Sequence, residues 1–141
     1  MALALSCFII AKNEADRIQR TIRAVKGLVD EVVVIDSGST DDTQALAEAE
    51  GARVIFHEWP GFGQQKRFGE MQCRNDWLLN LDADEVVSPA LATEIQAMFA
   101  RSEPALAVYA LPINDVYPGQ TKPRLWANDY VQPRLYDRRR V

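Results

Sequence analysis

The sequence predicts an α/β fold with a mostly parallel central sheet and helices on both of its faces. Three observations predict it. Leu3 to Ala11 and Glu31 to Asp36 carry continuous apolar runs rather than alternating ones, as strands covered on both faces require. Strand-like and helix-like segments alternate from Leu3 to His57 with short connections, giving the β-α-β-α-β pattern of right-handed parallel crossovers. Asn13, Asp36, His57 and Asp82 each fall where a predicted strand ends, the edge at which such sheets bind ligands. At 141 residues the chain reads as a single domain, 1–141.

Each element has its own justification. Leu3 to Ala11 opens apolar, but it has no basic leader and Lys12-Asn13-Glu14 follows at once, so a buried strand is expected rather than a signal peptide. Asn13 is expected to cap the next helix, with Glu14 and Asp16 in its first turn. Ile18, Ile22, Val25 and Val29 keep helical spacing and Gly27 stops it. Val32-Val33-Val34-Ile35 is a β-branched strand core ending at Asp36. Ser37-Gly38-Ser39-Thr40 is a tight loop, and a helix capped by Ser39 or Thr40 should run from Asp41-Asp42 to Gly51. Arg53 to His57 is the third strand. Glu58 to Gly63 reads as a loop and Gln64 to Cys73 as a weakly periodic helix. Trp77 to Leu81 is a short core strand ending in Asp82. Ser88-Pro89 opens a helix whose stripe is Leu91, Ile95, Met98 and Phe99. Leu106 to Pro112 is another strand. The chain then turns irregular through Tyr117, Pro118, Gly119, Pro123, Trp126 and Tyr130, and Val131 to Tyr136 forms a last strand.

A net charge of −4 and an isoelectric point near 5.0 argue against nucleic acid as a main partner. Arg134 and Arg138-Arg139-Arg140 are the local exception. They read as a frayed basic terminus, with docking to an anionic membrane surface as the alternative. Cys7 lies in a strand and Cys73 in a helix, with no Cys-x-x-Cys. That usage fits a reducing cytoplasm.

The chemistry concentrates in Leu79-Asn80-Leu81-Asp82-Ala83-Asp84-Glu85. Strand side chains alternate, so Asp82 and Asp84 share a side if the extended geometry persists. Neighbouring carboxylates repel, and a divalent cation relieves that. Hard oxygen ligands favour Mg²⁺ or Mn²⁺ over zinc, and such a metal would typically hold a diphosphate. The plain alternative is a solvated acidic turn.

Asp36 before Ser37-Gly38 admits several classes. Haloacid-dehalogenase-type phosphatases need an Asp where Gly38 stands, and receiver domains need an acidic pair where Asn13-Glu14 stands. A nucleotide-binding aspartate remains, with Gly38 letting the backbone approach a ligand and Asp41 capping the next helix; a plain strand-to-helix turn is the competing reading.

Ser6-Cys7-Phe8-Ile9-Ile10-Ala11-Lys12-Asn13-Glu14, Val33-Val34-Ile35-Asp36-Ser37-Gly38-Ser39-Thr40-Asp41 and Leu79 to Glu85 together resemble family 2 glycosyltransferases in order and spacing. Gly61-Phe62-Gly63-Gln64-Gln65-Lys66-Arg67 and Pro133-Arg134-Leu135-Tyr136 resemble the lipopolysaccharide core β-1,4-glucosyltransferase branch. The resemblance implies a Rossmann-like GT-A fold and an inverting transfer from a nucleotide-sugar, UDP-glucose first among the candidates, to a saccharide or glycolipid acceptor. It implies that Ala11, Asn13 and Glu14 border the nucleotide, that Asp36 contacts the base beside Ser37 and Gly38, and that Lys66 is a basic position near it. Asp82 and Ala83 would bind the ribose side, and Asp84 would coordinate Mg²⁺ or Mn²⁺.

Several residues stay open. His57 reads as structural or incidental. Trp59 and Phe62 stack either on a ligand or on the protein. Trp126 and Tyr130 are candidates for an acceptor side. No general base is assigned; Asp115, Asp129 and Asp137 are present, but none stands in a base motif. Family members continue beyond the last residue here, so an incomplete acceptor half is expected. Open strand edges are expected to favour a homodimer, and peripheral contact with the cytoplasmic face of an inner membrane goes with the glycolipid acceptor. A donor-binding module without catalysis is the main alternative. A nucleotidyltransferase is disfavoured because Lys12-Asn13-Glu14 is not a Gly-rich triphosphate loop.

Overall fold

The computed structural model describes residues 2–116 and 129–141, Asp129 by its backbone alone. The elements are β1 (Leu3–Ala11), α1 (Ile18–Val25), β2 (Val29–Asp36), α2 (Thr43–Ala49), β3 (Arg53–Phe56), α3 (Phe62–Gln72), β4 (Trp77–Asp82), α4 (Pro89–Met98), β5 (Val108–Asn114) and β6 (Asp129–Asp137). They build one six-stranded sheet in the order β3-β2-β1-β4-β6-β5. The first four strands in that order are mutually parallel; β6 runs antiparallel to both β4 and β5.

Both faces are covered, which is why the central strands read as continuous apolar runs. One face packs Leu5, Cys7, Ile9, Val34, Leu79 and Leu81 against Ile18, Ile22 and Val25 of α1, Ala47 of α2 and Ile95 of α4. The other packs Phe8, Val33, Ile35 and Leu78 against Phe68 of α3 and Cys73. Gly69 on α3 comes so close to the sheet that a Cβ there would meet the Phe8 ring at 2.7 Å.

Four expectations are corrected. Asn13 caps no helix: α1 begins at Ile18 without a side-chain cap, and Asn13 sits at φ +54° with its side chain turned to the next loop. Neither Ser39 nor Thr40 caps α2; Asp41 accepts from the Thr43 N–H at 3.0 Å, because Ser39 is committed to Asp36. Helix α3 starts at Phe62, inside the predicted loop. The basic terminus is not frayed. Arg138 pairs with Asp76 and donates to the Glu70 and Cys73 carbonyls, while Arg139 and Arg140 clasp the buried Asp137 carboxylate. Those pairs remove the basis for reading this terminus as a membrane-docking patch. The irregular stretch from Tyr117 through Trp126 lies outside the described residues.

No helix among the described residues is long and apolar enough to cross a membrane. A surface cleft among the described residues lies away from the strand ends carrying the predicted site. Its lining charges, Lys26 with Glu50, Arg53 with Glu31 and Arg74 with Asp30, pair among themselves.

Candidate functional site

The parallel register sets the predicted residues along one rim. Ala11 is opposite Asp36 across β1 and β2, Asp36 is opposite Phe56 across β2 and β3, and Ile10 is opposite Asp82 across β1 and β4. All are at the C-terminal ends of parallel strands, where chains leave the sheet and backbone groups lose ladder partners.

The loops after β1 and β2 are joined into a single platform. The Asp36 carboxylate is fully buried and accepts from the Gly38 N–H (3.0 Å), the Ser39 N–H (2.8 Å), the Ser39 hydroxyl (2.5 Å) and the Gln44 amide (2.8 Å). Burial pushes its pKa up, but these donors from Ser39, Gln44 and Gly38 outweigh burial and hold it below the ordinary carboxylate value. Gly38 is at φ +116°, a conformation that a residue with a Cβ rarely adopts. The same Ser39 hydroxyl accepts from the Asn13 N–H at 2.9 Å, and the Asn13 side-chain oxygen accepts from the Thr40 N–H at 2.8 Å. The Glu14 N–H donates to the Thr43 hydroxyl (2.8 Å), the Ala15 N–H to Asp41 (3.2 Å) and the Ser37 N–H to the Ala11 carbonyl (3.1 Å). Asn13, Glu14, Asp36, Ser37 and Gly38 are thus brought together. Asp36 spends its hydrogen-bonding capacity on shaping the loop.

The β4 end forms the second half of the rim. Asp82 and Asp84 are exposed and Ala83 between them is buried, so the two carboxylates keep to the solvent side although the chain turns after Asp82. Asp84 makes no hydrogen bond or ion pair among the described residues. Ala83 is pinned from beneath: its carbonyl accepts from the buried Thr21 hydroxyl of α1 at 2.9 Å. Glu85 closes the turn by accepting from the Asp82 N–H at 2.7 Å. Arg134 of β6 bridges Asp82 (3.3 Å) and Glu85 (3.1 Å). Burial raises the Glu85 pKa, with the Asp82 N–H and Arg134 opposing it.

Lys66 is half-buried on α3. That helix is anchored to the end of β3 by Gln65, whose amide donates to the His57 carbonyl at 3.1 Å and whose oxygen lies 2.6 Å from the His57 ring. His57 stacks on Phe68 at 3.7 Å, a structural position. Trp59, on the loop after β3, and Phe62, the first residue of α3, pack edge to face at 4.8 Å, both exposed. Asp137 is buried, and the Arg139 and Arg140 guanidinium groups hold its carboxylate far below the usual range against the pull of burial. It is no candidate for a general base.

The donor set suits a hard divalent cation. It is all oxygen, and among the described residues no three His, Cys, Asp or Glu side chains converge to enclose an ion. One or two exposed carboxylates, with the remaining positions left to water and phosphate oxygens, is how Mg²⁺ and Mn²⁺ are typically held.

A family model described as glycosyl transferase family 2 matches residues 6–140. The chain belongs to that family. An uncharacterized glycosyltransferase of Rickettsia felis is 46% identical over 136 residues, covering 96% of this chain and 48% of that protein. The lipopolysaccharide core biosynthesis glycosyltransferase LpsC of Rhizobium meliloti is 36% identical over 106 residues, covering 72% of this chain and 39% of that one. Among solved structures, the Mycobacterium tuberculosis glucosyl-3-phosphoglycerate synthase with Mn²⁺, UDP and glucosyl-3-phosphoglycerate matches at TM-score 0.61 and 29% identity, covering 74% of this chain and 42% of that one. The same enzyme with Mg²⁺ and UDP matches at 0.61. The fold of this family 2 chain is therefore GT-A. The chain spans about half the length of the curated relatives it matches.

Arg134 and Thr21 are additions to the candidate site that the sequence reading did not place there, and Glu85 stood in the acidic stretch without a role of its own. A signal for Arg134 was present: a lone charge inside the otherwise uncharged run from Val131 to Tyr136. Thr21 gave none, because a helix threonine 62 residues from Ala83 carries no mark of its contact.

Proposed function

We propose that this chain forms the donor-binding part of a metal-dependent, inverting glycosyltransferase that moves glucose from UDP-glucose to a saccharide or glycolipid acceptor in assembly of lipopolysaccharide core. The observation that carries this reading is the meeting of the Asn13–Asp36 platform with the Asp82–Asp84 turn on one sheet rim. The LpsC relative supports the core-sugar context, and the synthase solved with Mn²⁺ and UDP supports the donor class.

In this reading the platform of Asn13, Glu14 and Ser37–Ser39 receives the nucleoside, with Asp36 holding the loop in shape. Asp82 takes the ribose and Asp84 a Mg²⁺ or Mn²⁺ ion. When bound, that ion supplies positive charge against the negative charge developing on the leaving diphosphate. Ala83, fixed by Thr21, keeps the two carboxylates on their outward faces, so little reorganisation is needed on loading.

Calorimetry with UDP in Mn²⁺ and in EDTA tests the reading. Binding that needs the metal is expected; equal binding in both counts against the metal role. Glucose transfer to a heptose-containing acceptor then separates a transferase from a module that only holds the donor.

A further inference from the structure

We propose that Arg134 is a positioning residue for the Asp82–Glu85 turn, one that balances its charge so that Asp84 alone is left free for the metal. This rests on the donor-site reading above. Three carboxylates fall within four residues, Asp82, Asp84 and Glu85, and at that spacing they repel. A single guanidinium nitrogen of Arg134 spans the first and the last, at 3.3 Å and 3.1 Å. It reaches them from β6, 52 and 49 residues away in sequence. Asp84 has no such partner among the described residues.

The placement of Arg134 is poorly explained by stability. Its side chain is 8% exposed, its Nε has no hydrogen-bond partner among the described residues, and its contact to Asn80 is a long 3.5 Å. A buried ion pair with an unpartnered polar atom is commonly no more stable than an apolar replacement of similar size. The fork is instead aimed at the one turn where orientation of carboxylates matters. With Thr21 holding the Ala83 carbonyl and Glu85 holding the Asp82 N–H, the turn is fixed from α1, from within and from β6.

Two effects of losing Arg134 oppose each other. Removing a cation near the metal favours cation binding, by about a few-fold at most because the ion would lie at the exposed Asp84, where solvent screens it. Leaving the half-buried Glu85 without its counter-charge pulls the turn apart, and loss of a group that orients metal ligands typically costs roughly 10–100-fold in metal affinity. The second effect wins.

The test measures the Mn²⁺ concentration that half-saturates UDP binding in the full chain. Arg134→Gln should raise it by roughly tenfold or more, with UDP affinity returning near wild type at saturating Mn²⁺. A merely structural role would lower thermal stability and the bound fraction without moving that midpoint. Adding Glu85→Gln to Arg134→Gln removes the uncompensated charge yet keeps an oxygen for the Asp82 N–H, so the midpoint should move back towards wild type. Should Arg134→Gln not fold, Arg134→Lys keeps the charge on a shorter side chain that falls short of the bridging position and should still raise the midpoint several-fold. An unmoved midpoint, or a double variant no better than the single one, overturns the proposal. Wild-type protein that shows no metal-dependent UDP binding overturns the donor-site reading itself.

Discussion

In β1 six of nine residues are buried, whereas in β5 only one of seven is. The difference separates two regions of one sheet. The parallel region, β3-β2-β1-β4, is covered by helices on both faces, and its loops lock to one another through Asn13, Ser39 and Asp36. The antiparallel hairpin β5-β6 is the sheet's outer edge, with Val108, Tyr130 and Val131 exposed. The first region makes the scaffold and most of the candidate site. The second contributes one residue to it, Arg134. Stability and ligand geometry should therefore respond very differently to substitutions in the two regions.

The largest expected effect is at the turn. Asp84→Asn should abolish metal-dependent UDP binding while leaving the melting temperature near wild type, since the side chain is exposed and unpaired among the described residues. Retained binding by calorimetry would remove Asp84 from the metal site. Next, Ile9→Ala in the parallel core should destabilise by about 2–5 kcal/mol through lost burial and the cavity left behind; Ile9 is fully buried between the helix layer and the sheet. Urea unfolding monitored by Trp fluorescence checks this.

Gly69→Ala tests the tight contact of α3 with Phe8. A Cβ at 2.7 Å from that ring overpacks the core, at a cost of about 1–3 kcal/mol. Alanine's better helix propensity offsets about 1 kcal/mol of that. A net loss is expected, and a net gain would mean the Phe8 ring moves freely. The same urea curves serve.

Acid should act mainly through depressed carboxylates. Asp36 and Glu31 both have folded-state pKa values below their ordinary ones, because hydrogen bonds, joined at Glu31 by the Arg53 charge, outweigh burial. Groups shifted this way contribute stability that is fully present above the unfolded pKa, about 4, and is lost as pH falls through the lower folded value. Melting temperature should be level near neutrality and drop below pH 4, with a shallower slope in Asp36→Asn. The smallest effect is expected in the hairpin: Val108→Ala, 41% exposed, should change stability by less than about 0.5 kcal/mol. A loss comparable to that of Ile9→Ala would erase the contrast between the two regions.

The shared rim of the candidate site was legible because its residues stand beside strand ends. Asn13, Asp36 and Asp82 each follow an apolar run whose direction is set by the parallel crossover, so their shared rim follows from topology. What Asn13 does there was not legible. A residue of its type before a helix usually caps it, but here its side chain meets Thr40, 27 residues on, and local propensity carries no record of such a partner. The fate of the basic terminus was hidden for the same reason. Arg138, Arg139 and Arg140 look solvated in one dimension; β6 returning beside β4 carries Arg138 and Arg139 to Asp76, and Arg140 closes on Asp137 and the Ala105 carbonyl.

The sequence by itself determined the fold class, the order of the strands along the chain and the acidic turn, because periodicity, chain direction and covalent spacing are local properties. The tertiary structure decided which loops share hydrogen bonds, which carboxylates of the acidic turn are held, and that a distant arginine and a helix threonine contact that turn. Those depend on through-space distances of a few ångströms between residues tens of positions apart, and only the folded sheet sets such distances.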